Sequence, residues 1–428
     1  MIVVFYNLLG LCGLLLALPV LALKMATTVR FRRGLGERLG RYRIGPLPPP
    51  ARAPRIWIQA ASVGEVNAAL PLVAAIRRDL PEAELVVTTQ TAAGRDTARE
   101  KIGQGALCLL CPLDLWFFVK KFVDRFRPSL LILIETEIWP ALIAETSRRG
   151  IPICVCNGRV SESAFAWYRR GRFFLRPFLR RIDRFCMRGE EDARRARAMG
   201  VPHERIRVTG NLKYDVLDRA AGNGGPAPGL NLRIEPGDRF LVAGSTFSGE
   251  EEIVGEAFSG LRKRHPRLRL IVAPRHLERV DEVVKKLRLA GLEPVLYSAL
   301  GDARPHPPVV VLDRFGILYQ AYGLADLVFV GRSLRGGGGQ NPIEPASLGR
   351  PVVFGSGMKN FKAEAELLVS AGAAAVVERP EDFAEEVEAL LNAPERLEAM
   401  GRAARLAVES CRGASERNLQ AVRELLEG

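Results

Sequence analysis

An apolar run ends abruptly in two carboxylates in Leu130-Leu131-Ile132-Leu133-Ile134-Glu135-Thr136-Glu137. Glu135 and Glu137 project the same way if the strand continues through them. Carboxylates at the end of a buried strand need a polar cleft or a cationic partner. Lys213, in Thr209-Gly210-Asn211-Leu212-Lys213, is a candidate partner, and a plain salt bridge is the alternative reading. Upstream, Ile56-Trp57-Ile58-Gln59-Ala60-Ala61-Ser62-Val63-Gly64-Glu65 reads as strand, tight loop and helix start. Glu65 then sits at the carboxyl end of a strand, the edge where parallel sheets gather ligands. The first turn of a helix favours an ionised carboxylate, which a general base needs. Spacing alone favours the plainer role, an acidic residue complementing the helix dipole.

A second group of candidates surrounds Gly331-Arg332-Ser333-Leu334-Arg335-Gly336-Gly337-Gly338-Gly339-Gln340-Asn341-Pro342-Ile343-Glu344. The apolar run from Asp326 to Val330 leads in as a buried strand. Gly336 to Gly339 leave a loop without side chains, which would let a ligand reach bare backbone N–H groups. A helix follows, and such a passage is where α/β folds hold phosphates and nucleotides. Asn341 and Glu344 are placed to accept from a sugar hydroxyl. The same residues also spell a capping box, with Pro342 at the first helical position. The spacing leaves both readings open. Val272-Ala273-Pro274-Arg275-His276 sets a cation and an imidazole just past another strand. Arg275 suits a phosphate, with a surface charge as the alternative. Asp313-Arg314-Phe315-Gly316 follows a further strand.

These residues need a large scaffold, and 428 residues suffice for two or three domains. A net charge of +14 points to anionic partners, whether nucleic acid, anionic lipid or a phosphorylated substrate. Seven cysteines form no disulfide ladder, and Cys108-Leu109-Leu110-Cys111 has no second pair. With only four histidines, buried free thiols are expected and a zinc site is not. Ile2 to Leu23 is almost wholly apolar and long enough to cross a bilayer. Lys24, Arg30, Arg32, Arg33, Arg38, Arg41 and Arg43 follow, which puts the rest of the chain on the cytoplasmic side. Met1-Ile2-Val3-Val4 lacks the basic start of a cleaved signal, so an uncleaved single-pass anchor over residues 1–24 is expected.

Beyond the anchor, strand candidates alternate with helices. They are Ile56 to Gln59, Leu85 to Thr89, Leu130 to Ile134, Ile153 to Cys156 and Arg205 to Thr209. The pattern restarts at Phe240 to Ala243, Leu270 to Ala273, Val309 to Leu312, Leu327 to Val330, Val352 to Phe354 and Ala374 to Val377. Such alternation means parallel sheets covered by helices on both faces. The α/β chain divides into a Rossmann-like domain over 25–220, a Gly/Pro-rich linker over 221–230 and a second Rossmann-like domain over 231–428, with a cleft expected between them.

Taken together, these pieces resemble the 3-deoxy-D-manno-octulosonic acid (Kdo) transferases of lipid A assembly, inverting glycosyltransferases of GT-B architecture. The resemblance covers the anchor, Ser62-Val63-Gly64-Glu65, Glu135-Thr136-Glu137-Ile138-Trp139-Pro140, Asn157-Gly158-Arg159-Val160-Ser161-Glu162, Gly210-Asn211-Leu212-Lys213, Ala243-Gly244-Ser245-Thr246, Pro274-Arg275-His276 and Asn341-Pro342-Ile343-Glu344. It implies that Glu65 is the proton acceptor and that Glu135 and Lys213 stabilise the transition state. It assigns the nucleotide of the donor, CMP-Kdo, to Pro274, Arg275, Phe315, Gly316, Ile317, Asn341, Pro342, Ile343 and Glu344. Where relatives often carry a Gly-Glu pair this chain has Gly316-Ile317, which leaves that contact to the backbone. The implied acceptor is a lipid A precursor at the inner membrane, on the cytoplasmic side among anionic lipids. No acidic metal cluster stands at a strand end, so neither a metal nor another cofactor is expected. The alternatives are a GT-B transferase for another nucleotide sugar and lipid acceptor, or a membrane-tethered basic protein that binds nucleic acid. The last explains charge and anchor, but not the strand-end carboxylates or the glycine loop. It also lacks a groove of basic residues interleaved with stacking aromatics.

Overall fold

The computed structural model describes residues 2–27, 34–42, 44, 45, 47, 53–215, 230, 232–300 and 307–427. The expected linker 221–230 lies outside them except for Leu230, as do Arg30, Arg32, Arg33 and Arg43. The chain forms two compact units, Met1–Val216 with Arg412–Gly428, and Leu217–Cys411.

The first unit opens with helix α1, Ile2–Thr27. Its sheet then takes β1 (Arg55–Gln59), β2 (Glu84–Thr89), β3 (Ala106–Leu110), β4 (Leu130–Ile134), β5 (Ile153–Gly158), β6 (Arg184–Met187) and β7 (Ile206–Val208). All strand pairs are parallel, in the order β3-β2-β1-β4-β5-β6-β7. The continuous apolar runs are explained by burial on both faces. Trp57, Leu131, Leu133 and Val155 face one core with Phe122, Phe126 and Leu142. Their neighbours Ile56, Ile58, Leu130, Ile132, Ile134, Cys154 and Cys156 face the other with Val66, Leu72 and Ile76.

The second unit repeats the scheme with β8 (Arg239–Thr246), β9 (Leu268–Pro274), β10 (Val295–Leu296), β11 (Val309–Val311), β12 (Leu327–Val330), β13 (Val352–Gly355) and β14 (Ala374–Val377). These seven strands are again all parallel, in the order β10-β11-β9-β8-β12-β13-β14. In each sheet the order reverses beside the first strand, at β1/β4 and at β8/β12. Loops leaving the carboxyl ends there bind ligands in open α/β sheets.

One boundary differs from the sequence reading, which carries the second domain to residue 428. The terminal helix Ala414–Glu427 belongs to the first unit. Its apolar stripe, including Leu419 and Val422, completes the core under Val66 and Ile76. Asp215 holds its start, accepting from Gly413 N at 2.9 Å and Ser415 N at 2.6 Å. A helical pattern shows that a stripe must be buried, but not which sheet buries it. Strands β3, β6 and β10 are further additions to the elements read from sequence.

Candidate functional site

In the first unit the chemistry-bearing side chains follow β1, β4 and β7, at one edge of the sheet. Ser62 caps helix Val63–Asp79, its Oγ accepting from Glu65 N at 3.4 Å. The Glu65 carboxylate turns back over the same turn. Oε2 accepts from Ala61 N at 2.6 Å, and Oε1 accepts from the Ser62 hydroxyl at 3.1 Å. The capping geometry is therefore real, and it fixes the carboxylate at the strand edge. Burial raises the Glu65 carboxyl to about 7; the charges of Glu137 and Glu135 add to the rise, and the bonds from Ala61 and Ser62 oppose it. A carboxyl that half-ionises near neutrality can take and return protons.

The strand does not continue through Glu135 and Glu137, as their shared direction would require. β4 stops at Ile134, and Glu135 adopts a left-handed backbone with φ 61°. Such a conformation in a non-glycine residue is held at a cost by its surroundings, and these residues cluster at functional sites. Glu135 N donates to Cys156 O at 2.9 Å, keeping the bend tied to β5. Glu137 accepts from Trp139 Nε1 at 2.9 Å. Burial raises its carboxyl, the Trp139 bond opposes the rise, and the Glu135 charge adds to it. Glu65, Glu135 and Glu137 thus form one interacting group of carboxyls.

Asn157 belongs to one of the stretches that carry the resemblance, which gave it no role. It is fully buried at the end of β5, with φ 57°. Its Oδ1 accepts from Leu212 N at 3.0 Å, which sets the turn Leu212–Tyr214. Asn211 Oδ1 accepts from Lys213 N at 3.1 Å in the same turn. Lys213 presents an exposed side chain, with no ion pair to Glu135 or Glu137 among the described residues. The plain salt bridge is therefore absent among the described residues.

In the second unit every sequence candidate lies at the carboxyl edge. Pro274 ends β9, and Arg275 N donates to Thr246 O at 3.1 Å. The Arg275 side chain is exposed, with no hydrogen bond or ion pair among the described residues. Phe315 is 78% exposed after β11, and Gly316 has φ 84°. Ile317 precedes helix Leu318–Leu324 and gives it no side-chain cap, as an apolar residue must. Helix Ile343–Ser347 starts one residue later than the capping pattern indicates, with Pro342 outside it. Asn341 Oδ1 accepts from Ile343 N at 3.1 Å, and Asn341 Nδ2 donates to Glu344 Oε1 at 3.3 Å. Burial raises the Glu344 carboxyl, with the Asn341 bond and the Arg275 charge opposing.

The glycine loop differs from the sequence reading. A Cβ at Gly337, Gly338 or Gly339 would come within 2.5 Å of Arg332, Asn360 or Met358 respectively. Only Gly336 faces open space. Three of the four glycines thus lie against the protein's own side chains, and Gly338 and Gly339 also hold positive φ of 99° and 77°. What holds the loop is Glu250, which was not among the sequence candidates. This buried carboxylate accepts from Phe247 N at 2.9 Å, Arg332 N at 2.6 Å, Ser333 N at 2.8 Å and Leu334 N at 3.1 Å. It ties the loop after β8 to the loop after β12 across the switch point.

The thiols are free, and five are buried. Cys154, Cys156 and Cys186 form a group of three in the core, with Cys154 Sγ 3.6 Å and 4.0 Å from the other two. Among the described residues this is the one His/Cys/Asp/Glu grouping with metal-ligand spacing, and no fourth donor joins it.

Two parallel sheets of this kind define the GT-B class. The fold is shared with a glycosyltransferase from Rickettsia africae, at TM-score 0.55 and 11% identity over 88% of this chain and 100% of that one. It is shared too with UDP-GlcNAc 2-epimerase from Neisseria meningitidis, at TM-score 0.58 and 13% identity over 87% and 100%. The sequence goes further. Residues 33–216 match the family model described as 3-deoxy-D-manno-octulosonic-acid transferase (kdotransferase). The chain is 33% identical to the 3-deoxy-D-manno-octulosonic acid transferase of Haemophilus influenzae, over 99% of this chain and 98% of that one. It is also 33% identical to that of Bordetella pertussis, over 89% of each. The chain belongs to the 3-deoxy-D-manno-octulosonic acid transferase family and is a glycosyltransferase.

Proposed function

We propose that the protein transfers Kdo from CMP-Kdo to a lipid A precursor with inversion, in lipopolysaccharide biosynthesis at the cytoplasmic face of the inner membrane. The observation that carries this reading is Glu65, a carboxyl with a raised affinity for protons, fixed at a strand edge in a chain of this family. An acceptor hydroxyl is a weak nucleophile, and Glu65 takes its proton as it attacks the anomeric carbon. Glu135 and the exposed Lys213 stabilise charge that develops there; Lys213 suits the donor's sugar carboxylate. Arg275 faces the phosphate that leaves with cytidine. Phe315 offers a face for the base, and Pro274, Gly316, Ile317, Asn341, Pro342, Ile343 and Glu344 complete the nucleotide contacts. Asn341 and Glu344 bond to each other as well as lying at the loop exit, so capping and ligand contact are compatible. Base, cation and nucleotide contacts are all side chains or backbone, and the scheme requires no metal or cofactor.

Helix α1 supplies the membrane attachment; Ile2–Val20 is long and apolar enough to cross a bilayer. The helices Glu162–Arg170 and Arg172–Leu179 present Arg169, Arg170, Arg172 and Arg176 to solvent beside Trp167 and Phe173, which are 76% and 87% exposed. Basic residues with exposed aromatics suit an anionic leaflet. The test is to incubate purified protein with CMP-Kdo and tetraacyl lipid A precursor. CMP release together with a heavier lipid is expected. An unchanged lipid in the presence of both substrates refutes the proposal.

A further inference from the structure

The attachment of α1 to its own unit bears on how the protein meets the membrane, an inference that rests on the membrane reading above. Between residues 2 and 20 the half-buried positions are 2, 3, 6, 7, 10, 14 and 17. Their spacing of three or four draws one stripe along the helix. Tyr6 and Asn7 are the two residues of that stretch with polar side chains, and both lie on the stripe.

Tyr6 OH donates to Asp114 Oδ2 at 2.8 Å. Asp114 also accepts from Ala141 N at 3.2 Å and Leu142 N at 2.8 Å, at the start of helix Pro140–Arg148. Trp116 N donates to Asn7 Oδ1 at 2.6 Å. A Cβ at Gly10 would come within 2.6 Å of the Leu115 side chain, so α1 packs directly on Leu115 there. Ile2, Val3 and Tyr6 join the core beside Phe174, and the Tyr6 and Phe174 rings lie 6.4 Å apart. The opposite face is apolar and bare. Val4, Phe5, Leu8, Leu9, Leu15 and Leu16 are 56–82% exposed.

A helix that crosses the bilayer carries its first residues about 30 Å from the side where it emerges. Here those first residues are bonded to the folded unit itself. A crossing would also bring Asp114, beside Tyr6, to membrane depth, where ionisable groups are costly. We infer that α1 lies along the first unit and enters one leaflet from the side, its stripe on the protein and its bare face in the acyl chains. Both ends of the helix then stay on the side of the catalytic units. Phe174 links α1 to helix Arg172–Leu179, which also carries the exposed Phe173 and exposed arginines. That pairing fits an anionic phospholipid leaflet. The helix thereby sets the orientation of the first unit on the membrane rather than leaving it on a loose tether.

The test uses the full chain with an epitope tag and protease site before Met1, in spheroplasts and in inverted inner-membrane vesicles. The expected result is cleavage of the tag only in inverted vesicles, where the catalytic units are also digested. Cleavage in spheroplasts, with the catalytic units protected, overturns the inference and restores a crossing helix. A second measurement takes Gly10→Cys with Leu115→Cys in a Cys12→Ser background. Mild oxidation of native membranes should form a disulfide that shields both thiols from maleimide. Full maleimide labelling of both after oxidation contradicts the docked helix. Recovery of the full chain in the soluble fraction overturns the membrane reading itself, and this inference with it.

Discussion

Replacing Glu65 with glutamine keeps the shape of the side chain and removes its charge, so its effect must depend on pH. Burial raises this carboxyl from 4.5 to about 7, with Glu137 and Glu135 adding to the rise. A folded value above the unfolded one gives stability that is full below pH 4.5 and lost as pH rises through 7. At about 1.4 kcal/mol per pH unit the loss is roughly 3 kcal/mol, which partial exposure to solvent reduces to about 1–3 kcal/mol. Glu65→Gln carries no such loss. Its stability relative to wild type should therefore climb by that amount between pH 4.5 and 8, as every other group titrates in both proteins. For a unit of this size the climb is about 2–12 °C in relative Tm. Scanning calorimetry of the two proteins across this window reads it directly. The same ionisation should give wild-type kcat/KM a unit slope below about pH 7 and a plateau above, and Glu65→Gln should cut transfer 10²–10⁴-fold. A stability difference that stays flat with pH, alongside transfer above about one per cent of wild type, would refute the reasoning.

Glu137→Gln removes a neighbouring negative charge and should move the acidic limb of the activity profile to lower pH; an unmoved limb means the two carboxyls do not interact. Arg275→Ala and Glu344→Ala should both weaken CMP binding by calorimetry, whereas a lower Tm with unchanged CMP affinity for Glu344→Ala would leave it a purely structural residue. Glu250→Ala orphans four backbone N–H groups and should cost at least about 1–3 kcal/mol, with hydrogen exchange rising at Arg332, Ser333 and Leu334; unchanged exchange there would show that another group holds the loop. Neutralising Arg169, Arg170, Arg172 and Arg176 should weaken salt-sensitive binding to anionic liposomes and raise the apparent KM for lipid while leaving CMP affinity alone, and unaltered binding would make them an ordinary solvated face.

Strands such as Leu130–Ile134, Leu327–Val330 and Ala374–Val377 were legible because buried parallel strands write themselves as short apolar runs between turn residues. Ala106–Leu110 was harder to read, since the CxxC that runs from Cys108 past its end to Cys111 looks like a redox or metal motif, although both thiols are simply buried. The terminal helix shows a limit of another kind: Leu419 and Val422 declare a buried stripe, and only the folded chain declares its partner. Glu65 and Arg275 were legible by their place just after strands. Glu250 was not, because four N–H donors come from Phe247 and from residues more than eighty positions away. Asn157 left one faint signal, a polar residue closing an apolar strand, and its bond to Leu212 lies beyond any local pattern. The run of glycines at 336–339 shows in sequence a loop without side chains, but not that three of them lie against Arg332, Asn360 and Met358.

The proposed mechanism is a single displacement, in which the acceptor oxygen attacks as CMP leaves and Glu65 holds the proton. The most direct test is the anomeric configuration of the new linkage, determined by NMR on product made from CMP-Kdo and lipid A precursor. The account predicts the configuration opposite to that in CMP-Kdo. Retention would contradict it, because a lone base at Glu65 gives no route to retained configuration.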